Sequence, residues 1–134
     1  MAAKRVVHIE CEVNDDAPYH LYTMLEKGKK KFEVRPLLVD KDGIRNKWWH
    51  LLPGTFDEAT LKVVNASDKK RSFTRVVESV TCRRGYKCLL ESVGFQACVP
   101  GAKDVEEALE KVYKRFYPDH MEDCDVIAVG LHDH

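Results

Sequence analysis

Apolar and polar residues follow two different periods along the 134-residue chain, and each period predicts one kind of element. Residues 73–81 fall into two sets that alternate along the chain, with positions 73, 75, 77, 79 and 81 on one face, and predict the clearest strand. Residues 6–13 hold apolar residues among polar ones and predict a weaker first strand. Short apolar runs over 61–64 and 126–131 predict two more strands, the last of them buried.

Helical spacing appears in three further segments. Residues 14–18 are typical of a helix start, because side-chain acceptors precede a proline, and Gly28 is typical of a helix end. A short helix is predicted over 86–92, and the longest helix begins at Asp104. Asp104 and Glu107 match a capping box. One apolar stripe facing the core follows at helical spacing: Val105, Ala108, Leu109, Val112 and Phe116.

The order of the predicted elements is strand, helix, strand, long connection over 37–59, two strands, short helix, long helix and strand. Because regular helices do not separate the strands, this order argues against a doubly wound nucleotide-binding fold. It favours an α+β class, with a mixed or mostly antiparallel sheet or a small barrel and with helices at the rim. The length predicts a single domain over residues 1–134.

The composition excludes several classes of protein. With 44% hydrophobic and 33% charged residues, the chain is predicted to be globular, neither disordered nor membrane-bound. No apolar run reaches the length of a membrane span, and residues 1–5 lead into the first strand without the apolar stretch of a signal peptide. A cytoplasmic or nuclear protein is therefore predicted. The five cysteines form no C-x-x-C pair, so free thiols, no metal and no cofactor are expected.

Charge is balanced overall but unevenly distributed. The 22 basic and 22 acidic residues cancel, yet residues 69–87 hold seven basic residues and one acid. Residues 104–125 hold eight acids and three bases. Such patches can steer a charged ligand or a protein partner, and the acidic 104–125 face is the candidate surface for a protein. Two solvated faces without a partner are the alternative.

The segment 28–35 carries the most specific candidate chemistry. The chain has no nucleophile elbow, phosphate-binding glycine loop or dinucleotide fingerprint. In the strand predicted here, Glu33 and Arg35 lie side by side on a charged face, opposite the apolar face of Phe32 and Val34. Such a pair is preorganised: the guanidinium can bind a phosphate bidentately, and the carboxylate can accept from an amino group. A surface ion pair of little energetic value is the alternative.

The same segment resembles a known motif. It runs Met24-Leu25-x-x-Gly28-Lys29-Lys30-x-x-Glu33-x-Arg35. This is similar to the opening motif of ASCH domains, a PUA-like group in which a helix ends in Gly-x-Lys before a strand with Glu-x-Arg. Later segments resemble the family in the same order: 76–80, 86–90, 99–101, 105–109, 117–118 and 126–129. The resemblance covers residues 8–131.

The resemblance implies a small PUA-like β-barrel with helices at its rim and a cleft on the charged face of this strand. Such domains are expected to bind RNA or a nucleotide-like molecule. The lysines at the helix end would then meet phosphate, and the glutamate–arginine pair would recognise the polar edge of the ligand. Core packing or loop anchoring is the favoured interpretation for Trp48 and Trp49, and stacking of Trp48 on a base is the alternative that keeps it among the candidates. The predicted nucleic-acid-binding residues are Lys29, Lys30, Glu33, Arg35, Arg75 and Trp48.

One branch of the family is an amidohydrolase acting on acetylated cytidine, and its residues map onto this chain only in part. Its lysine and arginine fall on Lys30 and Arg35, but its nucleophilic threonine falls on Glu33. Its catalytic glutamate falls near residues 100–102, where this chain has no acid. No catalytic residue is therefore predicted, and a binding module is favoured over an enzyme. The amidohydrolase and a protein-interaction module are the alternatives.

Overall fold

Five strands form one sheet in the computed structural model, which describes residues 4–119 and 121–132. The strands are β1 (Val6–Val13), β2 (Phe32–Pro36), β3 (Glu58–Asn65), β4 (Ser72–Arg84) and β5 (Asp125–Leu131). Their order in the sheet is β1-β3-β4-β5-β2, in which β1 and β3 are parallel and the other neighbours are antiparallel. Residues 1–3, on which the prediction of a missing signal peptide partly rests, lie outside the described residues.

Strand β4 is the longest strand and makes the sheet curl. It pairs with β3 through residues 72–76 and with β5 through residues 77–84. The register shifts between Val77 and Ser79, and a bulge of this kind bends a strand and increases its twist. The sheet therefore curls into a half-barrel with helices around it, which confirms the predicted α+β class and its barrel-like sheet.

The helices surround this sheet. They are α1 (Leu21–Glu26), α2 (Tyr86–Val93), α3 (Phe95–Cys98), α4 (Val105–Ala108) and α5 (Lys114–Phe116). A π-helical segment (Leu109–Tyr113) joins α4 to α5 directly, and we call residues 105–116 the C-terminal helix. A 3-10 helix (Lys47–Leu51) lies in the long connection before β3. Within residues 4–119 and 121–132, no helix has the length and apolar character needed to cross a membrane.

Capping groups set the helix boundaries, and the start of α1 differs from the predicted position. As predicted, Asp104 caps the C-terminal helix, because its carboxylate accepts from a backbone amide of the first turn at 2.8 Å. Helix α1, in contrast, begins at Leu21 and not within 14–18. Asp15 nevertheless caps α1 from the preceding segment, since its carboxylate accepts from the Thr23 amide at 3.0 Å and from the Thr23 hydroxyl at 2.9 Å.

Strand β5 lies between two hydrophobic clusters, so both of its faces are buried. Ile127 and Val129 pack into the cluster that contains Trp48, while the alternate residues pack against α2 and the C-terminal helix. Because β2 pairs with β5, Glu33 lies opposite Val129 and Arg35 lies opposite Ile127, on the same face of the sheet. The prediction that Glu33 and Arg35 share one face is confirmed, and both side chains are largely buried there.

No disulfide joins the five cysteines, all of which lie within the described residues, and they differ in accessibility. Cys11 and Cys98 are buried, Cys82 and Cys124 are half-buried, and Cys88 is exposed. Burial raises the pKa of Cys11 to about 12 and that of Cys98 to about 11. In the part of the chain that the structure describes, no three His, Cys, Asp or Glu side chains come together as a group that could hold a metal ion.

In the folded protein we expect Cys88 to be alkylated first and the two buried thiols last. The thiolate is the reactive form, so a raised pKa and burial both slow the reaction. Timed alkylation with iodoacetamide, read by peptide mass spectrometry, should modify Cys88 roughly 100-fold faster than Cys11 or Cys98. Alkylation in denaturant is the control, because all the thiols should then react alike. Equal rates in the folded protein would contradict the burial of Cys11 and Cys98.

Candidate functional site

A cleft lies beside β2, between the end of β1 and the C-terminal helix. Its inner pocket, of about 240 Å³, has Glu33, Arg35 and Tyr113 in its wall. An outer pocket of about 540 Å³ adjoins it, because four residues line both: Asn14, Leu21, Val112 and Phe116. The glutamate–arginine pair singled out in the sequence therefore lies in the wall of a cleft.

Glu33 and Arg35 form a well-held ion pair in the inner pocket. Arg35 Nη2 lies 2.9 Å from Glu33 Oε2, and Arg35 Nε donates to the same oxygen at 3.3 Å. Nη2 also donates to the Glu12 carbonyl oxygen at 2.6 Å, and the guanidinium carbon lies 5.2 Å from the centroid of the Trp48 ring. The side chains of Glu33 and Arg35 are only 7% and 18% exposed. The guanidinium is thus fixed by a carboxylate, a carbonyl and an aromatic face.

Lys30 lies behind this pair and is fully engaged. Its side chain is 1% exposed, and Nζ donates to the Phe32 carbonyl at 2.5 Å and to the Cys98 carbonyl at 2.6 Å. Nζ also lies 3.5 Å from Glu33 Oε1. With three partners for three ammonium hydrogens, Lys30 has no donor left for a ligand. The prediction that Lys30 meets a phosphate is therefore wrong, and its role in this geometry is to position Glu33.

The balance of charge in this group keeps Glu33 ionised. Burial on its own would raise the pKa of Glu33, but the charges of Arg35 and Lys30 outweigh it and lower that pKa below its ordinary value. At neutral pH the group therefore holds two cations and one carboxylate. The net charge of the group is therefore one positive unit. Arg35 and Glu33 lie in the wall of the inner pocket, and Lys30 lies directly behind them.

Two other predicted residues lie outside the cleft. Arg75 lines a separate pocket of about 190 Å³ together with Lys27, Lys31 and His132. Its Nη2 donates to the Glu26 carbonyl at 3.2 Å, and its guanidinium stacks on Phe73. Lys29 is exposed and lines neither pocket of the cleft. The structure does not bring these two side chains to Glu33 and Arg35.

Trp48 lies in the core and does not offer a stacking surface. Its residue is 4% exposed, and its ring packs in the cluster on one side of β5 while Arg35 covers it. The connection that holds it is a 3-10 helix, which buries Trp48 and leaves Trp49 half-buried with its indole N–H donating to the Leu38 carbonyl at 2.9 Å. This corrects the prediction that Trp48 stacks on a base, and its observed role is to support Arg35.

The basic and acidic segments pair with acids and bases elsewhere in the fold. Lys69 lies 2.9 Å from Glu12, and Arg71 lies 2.9 Å from Glu26. The two segments also meet directly, because Lys87 lies 3.6 Å from Glu106 and Arg84 lies 3.8 Å from Asp125. The 69–87 segment is therefore not a continuous basic track, and part of the acidic 104–125 face is covered by bases.

Three aromatic residues of the inner pocket were not among the predicted site residues: Tyr113, Phe116 and Tyr117. An unbroken α-helical stripe would bury Phe116, but Phe116 is 43% exposed and lines both pockets. The π-helical segment before it has wider turns, which rotate the following residues and place Tyr113 in the core. Single π-turns occur frequently at functional sites. Three aromatics within residues 113–117 were the signal that sequence reasoning could have used.

Tyr113 lies at the base of this aromatic group. The Tyr113 ring stacks on the Tyr86 ring with centroids 4.9 Å apart. The Tyr117 ring also stacks on Tyr86, with centroids 6.2 Å apart. The hydroxyl oxygens of Tyr113 and Tyr86 are buried and have no hydrogen-bond partner among the described residues. Buried hydroxyl groups normally have such a partner, so these two are unusual, and of the two residues Tyr113 is the one that lines the inner pocket.

The chain is similar to two solved structures. One is the crystal structure of the hypothetical protein PH0355, with 23% identity and a TM-score of 0.59, covering 95% of this chain and 97% of that one. The other is the solution NMR structure of protein PF0455 from Pyrococcus furiosus, with 23% identity and a TM-score of 0.53, covering 92% and 96%. This likeness shows the fold alone. No family model and no curated protein matches the chain.

Proposed function

We propose that this protein is an RNA- or nucleotide-binding module of the ASCH and PUA-like type, with its ligand held beside Glu33 and Arg35. The observation that carries the proposal is the Glu33–Arg35 ion pair, which is fixed at 2.9 Å in the wall of a cleft. The motif from Gly28 to Arg35, which resembles the opening motif of that family, supports the same proposal.

The chemistry of the pair suits a polar, anionic ligand. Because Arg35 is already held by Glu33 and the Trp48 ring, little side-chain entropy is lost when a ligand binds to it. Taken together, the adjoining pockets of about 240 Å³ and 540 Å³ lie within the range of small-molecule sites, roughly 300–1,000 Å³. A single nucleotide unit fits this scale better than a long duplex.

The amidohydrolase alternative is less well supported. Glu33 stands where that branch has its nucleophilic threonine, and a carboxylate engaged by Arg35 and Lys30 is a weak base. Residues 100–102, Pro-Gly-Ala, offer no acid in place of the catalytic glutamate. A protein-interaction module is also less well supported, because bases of the same chain pair with part of the acidic face.

Replacing Arg35 by glutamine is expected to weaken binding of ribonucleotides and short single-stranded RNA by about 10-fold or more, because a charge-assisted hydrogen bond is lost. The matched control is Arg75→Gln, which removes a guanidinium outside the cleft and should change affinity less than about twofold. Isothermal titration calorimetry at low salt measures both, with circular dichroism confirming that each variant is folded. Absence of any nucleotide or RNA binding by the wild-type protein, or equal losses in the two variants, would contradict the proposal.

A further inference from the structure

The inner pocket has hydrogen-bond donors without acceptors. Within residues 4–119 and 121–132, the hydrogen bonds of the Arg35 guanidinium come from Nε and Nη2, so Nη1 has no acceptor there. Tyr113 lines the same pocket, and its buried hydroxyl has no hydrogen-bond partner among the described residues either. Burial raises the pKa of Tyr113 well above its ordinary value, so this hydroxyl keeps its proton and can donate it in a hydrogen bond.

The charge around the inner pocket also favours an anionic ligand. Lys30 and Arg35 together carry two positive charges against the single carboxylate of Glu33. Glu12, the other acid that lines the inner pocket, is half exposed and is paired with Lys69 at 2.9 Å. An excess positive charge in a site shielded from water is costly, and an anion placed against Arg35 offsets that cost.

The outer pocket has a different character. Its charged side chains are of both signs, and Asp16 and Arg115 pair at 3.6 Å. Two acids, Asp16 and Glu110, and two bases, Lys111 and Arg115, line it, so it has no excess positive charge to favour an anion, and its carboxylates can accept from hydroxyl or amino groups. Phe116 presents an exposed ring at the boundary of the two pockets, where a planar base can stack on it.

We propose that a nucleotide binds with its phosphate in the inner pocket, against Arg35 Nη1 and the Tyr113 hydroxyl, and with its sugar and base in the outer pocket beside Phe116. This inference rests on the proposed function and adds to it the orientation of the ligand and two residues that recognise it. A phosphate supplies the acceptor oxygens and the negative charge that the inner pocket requires. The phosphate comes either from a mononucleotide or from the backbone of an RNA strand.

The test compares Tyr113→Phe with Tyr86→Phe, a matched control. Both substitutions remove a buried hydroxyl without a hydrogen-bond partner among the described residues, so neither should lower the melting temperature, but only Tyr113 lines the pocket. Binding of the four ribonucleoside 5′-monophosphates, the four ribonucleosides and inorganic phosphate is measured by calorimetry. We expect Tyr113→Phe to weaken monophosphate binding about 10-fold and to leave nucleoside binding unchanged, since one charge-assisted hydrogen bond is lost. Tyr86→Phe should leave both unchanged.

Three outcomes separate the failure of this inference from the failure of the proposed function. Nucleosides that bind as tightly as monophosphates, or monophosphate binding that Tyr113→Phe leaves unchanged, overturn the orientation but leave nucleotide binding intact. Inorganic phosphate that binds as tightly as any monophosphate overturns the role of the outer pocket. No binding of any nucleotide, nucleoside or short single-stranded RNA overturns both proposals. A dinucleoside monophosphate identifies the source: equal affinity indicates an RNA backbone, and a weaker affinity indicates a mononucleotide.

Discussion

Replacing Lys30 by methionine is expected to lower the free energy of unfolding by about 3–5 kcal/mol, the usual loss when one partner of a buried ion pair is removed. Methionine keeps most of the buried stem but donates no hydrogen bond. The Phe32 and Cys98 carbonyls then lose their donor, and Glu33 keeps only Arg35 as a charged partner. Urea denaturation followed by circular dichroism measures the loss.

The neighbouring lysine provides the control for this prediction. Lys29→Met changes an exposed side chain one position away and should alter the free energy of unfolding by less than about 0.5 kcal/mol. The double variant Lys30→Met with Glu33→Gln should be less destabilised than the sum of the two single variants, because both remove members of one network. Additive losses, or a Lys30→Met protein as stable as the wild type, would show that Lys30 does not position Glu33.

The elements that local sequence encodes were predictable. Alternation over 73–81 marks part of β4, and Asp104 caps the C-terminal helix as its position before an apolar stripe predicts. The same reasoning put Glu33 and Arg35 side by side, because residues two apart in a strand share a face. Each of these predictions depends on residues that are close in sequence.

The burial of Lys30 depends on contacts that are distant in sequence. One of its acceptors, the Cys98 carbonyl, lies 68 positions further along the chain. Within 28–35, Lys30 belongs to a lysine-rich turn, and nothing local distinguishes it from the exposed Lys29 and Lys31. The pairing of the 69–87 segment with acids such as Glu12 and Glu26 was hidden for the same reason.

Phe116 is misassigned because the helix changes its period. The apolar spacing of residues 105–116 fits an unbroken α-helix, which would bury Phe116. The π-helical segment Leu109–Tyr113 has wider turns, so Phe116 is rotated out of the apolar stripe and exposed, while Tyr113 at the end of the segment is buried. For Trp48 the favoured interpretation, core packing, agrees with the structure, in which a 3-10 helix and not a strand carries it into the core.

Replacing Glu33 by glutamine is expected to lower the free energy of unfolding as much as Lys30→Met does, and the size of this loss should depend on pH. At pH 7 the variant leaves Lys30 and Arg35 buried without a carboxylate, so we expect a loss of about 3–5 kcal/mol in the free energy of unfolding. Burial favours the protonated form of Glu33. The charges of Arg35 and Lys30 outweigh burial and lower the pKa of Glu33 in the folded protein. The stability that Glu33 contributes is therefore fully present above the ordinary value of 4.5 and is lost as the pH falls through the lower folded-state pKa.

The difference in stability between the wild type and Glu33→Gln should consequently be constant from pH 7 to about pH 5 and shrink below that. Urea denaturation at pH 7, 5, 4 and 3 measures this difference. The effect of the other acids on stability cancels in the difference, because both proteins carry them. Glu12→Gln is the matched control: it removes a carboxylate of the same pocket that pairs with a lysine at 2.9 Å but is half exposed, so it should change stability little at any pH. A difference for Glu33→Gln that grows on acidification would mean that the carboxylate is protonated in the folded protein, and Arg35 would then lack the ionised partner that holds it in the cleft.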